Sequence, residues 1–288
     1  MEARDVLAQA ARYRHPAAGA WGRMVGALVA NRHWTAWRRW LVERWPVPAL
    51  ASDVVDVAYM NWWVEAAALP PAPPGYRYAA WAGRTPFTIL SYRHGHFGPA
   101  LAGPLRRLFP SPLQSNWRWY LQRDDDPADA APTVLFVRNA MDSLAHVVGA
   151  RLWSDAMQPH LPARFTHDWQ SASLSTHIAP GQGSAPALDA VLALAPETQD
   201  GKAWWRGRFA DARAAIRFLA CQELAIAVAP DGRAALTRIA LPVDLDNVRM
   251  LAPQRVDCPL LDGMGGADGP FCFLLPKAAF RVVCERLL

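Results

Sequence analysis

The sequence has 288 residues, of which 52% are hydrophobic and 19% are charged, a composition that suits a globular chain with a sizeable core and excludes a disordered or fibrous one. The net charge is +5, but the basic residues are spread along the chain and residues 124–126 form an acidic block, so we expect no nucleic-acid partner. No apolar run reaches the roughly 18 residues of a membrane-spanning helix, and the N-terminus lacks the pattern of a secretory signal, which together predict a cytoplasmic protein.

Residues 1–50 are predicted to form a helical N-terminal arm. Between residues 31 and 45 the apolar side chains recur at helical spacing and share one face, which carries Trp34, Trp37, Leu41 and Trp45. Prolines directly after Trp45 end the helix. We expect the tryptophans to pack the arm onto the sheet of the main domain. Because tryptophan flanked by arginine also suits a lipid headgroup region, a membrane-surface or protein-interaction segment at residues 31–45 is the alternative.

Residues 51–288 are predicted to form a single α+β domain around a largely antiparallel sheet. Tyr76–Trp81 and Phe87–His94 flank a short turn and predict a hairpin. A second hairpin is predicted around the Pro-Asp-Gly turn at residues 230–232. Arg164–Ile178 alternates between polar and apolar residues and predicts one long strand.

The predicted strand Ser115–Gln122 has two unlike faces. Since alternate side chains of a strand point to opposite sides, Asn116, Arg118 and Tyr120 share one face, and Trp117, Trp119 and Leu121 share the other. The polar face must contact solvent or line a cavity, because burying such groups unpaired is costly. In a cavity Arg118 would clamp a ligand carboxylate, whereas on an exposed face it would form a structural ion pair, and the spacing alone does not choose between them. Arg138 of the next strand completes the candidate ligand-binding set of Asn116, Arg118, Tyr120 and Arg138.

No motif predicts a metal ion or a cofactor. The His-Gly-His run at residues 94–96 would place two imidazoles on one side of an extended chain, with His160 or His167 as a third ligand. A glycine at this place is more typical of a surface turn, so we predict no metal site. The glycine-rich run at residues 263–269 precedes another strand pattern, whereas a phosphate-binding loop leads into a helix. The four cysteines have no metal-binding spacing.

Four segments between Tyr59 and about Phe165 carry a family resemblance: the strand ending in Trp62-Trp63, the run GYRYAAWAGRTPFTILSYR, the Asn-x-Arg-x-Tyr element at residues 116–120 and the run VLFVRNAMDSLAHVVGARLW. They resemble the bacterial proteins grouped as domain of unknown function 2071, which are similar to acetoacetate decarboxylase. The resemblance implies an antiparallel β-barrel with peripheral helices and a central cavity, which the Asn-x-Arg-x-Tyr face would line.

The resemblance also implies that this chain lacks the residues for the reaction of the decarboxylases. The decarboxylases use a lysine that condenses with the substrate ketone, and a second lysine beside it lowers its pKa. The comparable segment here is residues 157–162, in which His160 and Leu161 stand where the two lysines would be. The lysines of this chain, Lys202 and Lys277, are distant in sequence. We therefore predict that the chain does not catalyse decarboxylation through an imine.

The function that the sequence favours is a barrel that binds a small anionic or carbonyl-bearing metabolite. The alternative is a lyase- or isomerase-type enzyme in which His160 acts as general acid or base beside Arg118 and Tyr120, because imidazole titrates near neutral pH. The third hypothesis is a membrane-surface or protein-interaction module that acts through residues 31–45. A homo-oligomer is compatible with all three.

Overall fold

The computed structural model describes residues 7, 10–42, 44, 49–127, 130–156, 158–196, 201–265 and 269–288. Its helices are α1 (Ala20–Val29), α2 (Arg32–Val42), α3 (Leu144–Trp153), α4 (Lys202–Trp205), α5 (Ala212–Ala220) and α6 (Pro259–Asp262), with 3-10 helices η1 (Ala66–Ala68) and η2 (Ala100–Leu108). None of the helices in these ranges is long and apolar enough to cross a bilayer. Trp45, Met157 and residues 266–268 of the glycine-rich run lie outside the described residues.

Twelve strands make up the sheet in the described part of the chain. They are β1 (Leu50–Glu65), β2 (Tyr76–Tyr78), β3 (Arg84–Pro99), β4 (Leu113–Arg123), β5 (Thr133–Met141), β6 (Arg164–Gln170), β7 (Ser173–Ala179), β8 (Leu188–Leu194), β9 (Leu224–Val228), β10 (Ala234–Ala240), β11 (Arg249–Asp257) and β12 (Phe271–Leu287). The Pro-Asp-Gly turn joins β9 to β10 as an antiparallel pair, as the sequence predicts.

Seven of the strands close into a barrel in the order β1-β3-β4-β5-β9-β10-β12, and β12 pairs back onto β1. The pairs are antiparallel except for β5 and β9, which run parallel and make the barrel mixed. The predicted α+β barrel with peripheral helices and an N-terminal helical segment is confirmed. The parallel pair arises because α3, three further strands and α5 lie between β5 and β9 in the chain, and parallel neighbours require such a long crossover.

A second layer of sheet covers one side of the barrel. Strands β11, β8, β7 and β6 extend from β12, and their apolar residues form one core cluster with the outer faces of β1, β3 and β4. Trp117 and Ile89 of the barrel meet Leu174 and Leu192 of this layer in the same cluster. The large apolar side chains of β4 are therefore used outside the barrel, and its polar side chains face inward.

Two predicted strand arrangements are wrong. Tyr76–Tyr78 pairs with β4 instead of β3, so the expected hairpin is limited to a tight turn in which Trp81 and Arg84 exchange backbone hydrogen bonds. β3 has no room for β2 because both of its edges are taken by β1 and β4. The expected long strand Arg164–Ile178 is the β6–β7 hairpin, which turns at Ser171 with a φ of 57°.

Tryptophans of the arm contact helix α3, while Arg38 and Arg39 also reach Glu285 of β12 and Asp231 of the β9–β10 turn. Trp34 packs edge-on against Trp153, and its indole nitrogen donates a hydrogen bond to a carbonyl of the same helix. The most buried side chain of α2 is Arg38, whose guanidinium lies 2.7 Å from Asp155, as does that of Arg39. Burial opposes ionisation of Asp155, but hydrogen bonds from the two arginines hold its pKa below the usual value. A buried carboxylate needs cationic partners, so the arginines turn inward and displace tryptophans to the surface.

Candidate functional site

The polar face of β4 lines the interior of the barrel. Asn116 pairs with Asn139 of β5 and Arg118 pairs with Phe136, and opposite residues of an antiparallel pair share a face. All four side chains border one cavity inside the barrel. Alternate residues of a strand point to opposite sides, and Trp117 and Trp119 pack outside the barrel. Asn116 and Arg118 therefore point inward.

The cavity has an open volume of about 50 Å³. This is room for a few water molecules or one ligand of a few heavy atoms. Its polar lining is Tyr92, Gln114, Asn116, Arg118, Asn139, Gln222 and Thr237, and its apolar lining includes Val54, Val57, Leu90, Val134, Phe136, Ile239, Leu241, Phe280 and Val282. Such a pocket, mainly apolar with a few convergent polar groups, is typical of small-molecule sites.

Arg118 supplies the charge of this cavity. Its side chain is only 5% exposed, and a guanidinium stays protonated in proteins. It donates to the carbonyl oxygen of Leu219 at 2.6 Å, to Gln222 Oε1 at 3.1 Å and to the Tyr120 hydroxyl at 3.4 Å. Within the described part of the chain no carboxylate lies within ion-pair distance of it. A buried cation held only by neutral acceptors is an unusual and costly arrangement.

Amide and phenol groups extend from Arg118 along the wall. Gln114 Nε2 donates to Asn116 Oδ1 at 3.2 Å and to Asn139 Oδ1 at 3.0 Å, and Asn116 Nδ2 donates to the Tyr92 hydroxyl at 3.0 Å. Tyr92 accepts in this bond, so its own proton can point to a ligand. Burial raises the pKa of Tyr92, which therefore remains a phenol.

His94 supports this wall from behind. Its Nε2 donates to Gln114 Oε1 at 2.6 Å, and its Nδ1 lies 2.8 Å from the Ser52 hydroxyl. Burial lowers the pKa of His94 to about 4, so the imidazole is neutral at pH 7. His96 is exposed, and the described residues contain no cluster of three metal-binding side chains.

Thr237 contributes an unpaired hydroxyl. Its side chain on β10 borders the cavity, is 2% exposed, and its Oγ1 has no hydrogen-bond partner among the residues described. Buried polar atoms are nearly always satisfied, by protein, water or ligand. A ligand in the cavity can therefore bind the Thr237 hydroxyl of β10 as well as Arg118 of β4.

Two members of the sequence-predicted set do not border the cavity. The Tyr120 hydroxyl donates to the Leu219 carbonyl at 2.9 Å and contacts Arg118, so Tyr120 supports the guanidinium instead of touching a ligand. Arg138 pairs with Trp117 and shares its outward face, because a β-bulge follows that pair and Phe136 takes the inward position opposite Arg118.

His160 lies in a different cluster outside the cavity lining. Its Nδ1 is 2.6 Å from the Ser184 hydroxyl, its Nε2 is 3.3 Å from Arg151 Nη2, and its ring stacks with Tyr13. Burial and the neighbouring arginines hold its pKa well below the usual value. Because Arg151 donates to Nε2, the ring proton is on Nδ1 and points to Ser184, which is the reverse of an activated serine. The hypothesis of His160 as general acid or base beside Arg118 is therefore not supported by its position.

Several cavity residues were absent from the sequence prediction. Asn139 directly follows Arg138, and strand alternation would place it on the face opposite to Val134 and Phe136, because alternation carries no sign of the bulge. Tyr92 could have been found from its place in a strand with inward-facing Leu90. Gln222 and Thr237 come from the end of α5 and from β10, about a hundred residues from β4, and no local pattern marks them.

Solved structures with the same arrangement of elements are known. The enduracididine biosynthesis enzyme MppR complexed with pyruvate superposes with a TM-score of 0.52 at 10% identity over 84% of this chain and 90% of its own. Acetoacetate decarboxylase gives 0.53 at 10% identity over 84% and 89% of the two chains. The fold is that of the acetoacetate decarboxylase-like enzymes. A further member, from Sphingomonas wittichii RW1, gives 0.50 at 8% identity over 84% and 94%.

No family model matches the chain, so the resemblance to domain of unknown function 2071 is not confirmed, and no curated protein matches it. At 8–10% identity the likeness concerns the fold alone. Decarboxylation through an imine needs a lysine in contact with the substrate. Lys202 and Lys277 are both exposed, and neither borders the cavity.

Proposed function

We propose that the barrel binds a small carboxylate anion, with the carboxylate on Arg118. The observation that carries the proposal is the buried guanidinium, which borders a cavity and has only neutral acceptors among the described residues. An anion in the cavity would supply the missing countercharge, and charge-assisted hydrogen bonds from arginine to carboxylate are among the strongest in proteins. A neutral ligand would leave the desolvation cost of the cation uncompensated.

The cavity also limits the size and type of the anion. A volume of about 50 Å³ favours a short acid of a few heavy atoms. The Tyr92 and Thr237 hydroxyls can bind a further oxygen, and Val54, Val57 and Ile239 can contact a short carbon chain. These groups together fit a short 2-oxo or 2-hydroxy acid. The complex of MppR with pyruvate supports this class, because it places such an acid in a protein of the same fold.

A thermal-shift series with matched ligands tests the proposal. We expect short carboxylic acids such as pyruvate and lactate to raise the melting temperature in a concentration-dependent way, because a ligand that binds only the folded state stabilises it. The corresponding amides, which have the same shape without the charge, should have little effect. Equal shifts with acids and amides, or no shift with any short acid, would contradict the proposal.

The same cavity should not form an imine with its ligand. Neither lysine borders it, so incubation with pyruvate or acetoacetate followed by borohydride should leave the mass of the protein unchanged. Acetoacetate decarboxylase treated in parallel is the positive control. An adduct that maps to Lys202 or Lys277 would show that a lysine reaches the ligand.

A further inference from the structure

Helix α1 exposes an apolar stripe. Trp21, Met24 and Leu28 are 56%, 56% and 48% exposed, and their spacing of three and four residues places them along one side of the helix. The buried face of α1 is separate and carries Val25 and Val29. Scattered exposed apolar residues are ordinary, but a stripe on one helix marks an interaction site.

Helix α2 adds two half-exposed indoles to the same arm. Trp37 and Trp40 are 47% and 49% exposed. Trp37 contacts Trp34 and Trp153, which fixes its position, and the Trp40 ring lies under the Arg44 guanidinium at 4.3 Å. We call the set Trp21, Met24, Leu28, Trp37 and Trp40 the arm surface.

The charged side chains in the sequence of the two arm helices have one sign. Residues 6–42 contain six arginines and no aspartate or glutamate. Arg38 and Arg39 are engaged with Asp155, whereas Arg23 and Arg32 are exposed, and no carboxylate of the described residues lies within ion-pair distance of them. Arginine beside exposed tryptophan is the composition of helices that lie in a lipid headgroup region.

We propose that the arm surface docks onto an anionic phospholipid bilayer, with α1 and α2 lying along the membrane plane. The arginines contact lipid phosphates while the indoles and Leu28 enter the boundary between headgroups and acyl chains. A second copy of the chain is a poorer occupant, because a symmetric contact would bring together two α1–α2 segments, each of which carries four arginines and no acidic residue. This inference is independent of the ligand in the barrel.

Sedimentation with vesicles tests it. We expect the protein to bind vesicles of phosphatidylcholine and phosphatidylserine, to bind phosphatidylcholine alone weakly, and to be released by high salt, since screening weakens contacts of exposed charges. The double variant Trp21→Ser, Trp40→Ser should bind the anionic vesicles at least about tenfold more weakly, because affinity scales with the apolar area inserted. The control variant Leu194→Ser, Val283→Ser removes two comparably exposed apolar side chains from strands and should bind like the unaltered protein.

Three results would overturn the proposal. One is absence of binding to anionic vesicles. Another is binding that the arm variant retains, or that depends instead on the exposed leucines of η2, which the variant Leu105→Ser would report. The third is a dimer in solution that the arm variant dissociates, because the surface would then contact a second copy. An unchanged midpoint of unfolding in urea shows that the arm variant is folded.

Discussion

Methionine in place of Arg118 removes carboxylate binding while leaving the fold intact. Methionine fills much of the same volume without a charge, so the cavity keeps its shape but loses the group that compensates the anion. We expect the affinity for the tightest short acid to fall about a hundredfold or more, because truncating one partner of a buried, hydrogen-bonded charge pair costs several kcal/mol. Isothermal titration of the variant and the unaltered protein measures the loss.

The stability of the same variant distinguishes a binding role from a structural one. Without ligand, Arg118 is a buried cation held by the Leu219 carbonyl and the Gln222 amide, and such a charge can be replaced by an apolar group at little cost or with a gain. The Leu219 carbonyl keeps a hydrogen bond from Tyr120 in the variant. We therefore expect unfolding in urea to need the same or a higher denaturant concentration.

Arg138→Met is the matched control for this prediction. Arg138 lies on the adjacent strand with its side chain on the outer face, so the variant should bind the acid with unchanged affinity. A strongly destabilised Arg118→Met protein, or acid binding that is lost equally in the two variants, would mean that Arg118 is structural.

The free energy of unfolding should fall steeply between pH 6.5 and pH 4, and His94 should account for a defined share of the fall. The folded protein binds a proton at His94 only near pH 4, whereas the imidazole of the unfolded chain does so near pH 6.5. Across this window the unfolded state carries the extra proton, so stability is lost as the pH falls. At pH 5 the loss from His94 is roughly 2 kcal/mol. The pKa values of buried His160 and His167 are lowered too, so they act in the same direction.

Urea unfolding of His94→Asn at pH 7 and pH 5 isolates this share. The asparagine does not titrate, so the difference in stability between the two pH values should shrink by roughly 2 kcal/mol. An unchanged pH dependence in the His94 variant would show that the pKa of His94 is not lowered in the folded protein.

The local rules of strands predict much of the architecture. The alternation of β4 gives its two faces from sequence alone, and the Pro-Asp-Gly turn gives the β9–β10 hairpin, because both depend on residues that are neighbours in the chain. The prediction that the sheet closes into a barrel came from the family resemblance and not from these patterns. The parallel β5–β9 pair depends on a long crossover, which no local pattern records.

The differences between the predicted site residues and the residues that line the cavity have equally physical causes. A single bulge in the β4–β5 pair moves Arg138 to the outer face, and strand alternation carries no sign of a bulge. His160 follows α3 in the sequence. Its backbone forms a parallel bridge to Ala140 of β5, and its ring stacks on Tyr13 of the N-terminal segment, outside the cavity. Gln222 enters the cavity because α5 packs there, and tertiary packing alone determines that position.

A crystal structure of the protein with the tightest-binding short acid is the most direct test of the proposed function. We expect the acid in the barrel cavity, with a carboxylate oxygen within hydrogen-bond distance of the Arg118 guanidinium and a second oxygen at the Tyr92 or Thr237 hydroxyl. An acid bound outside the barrel, or one that lies in the cavity with its carboxylate turned away from Arg118, would contradict it.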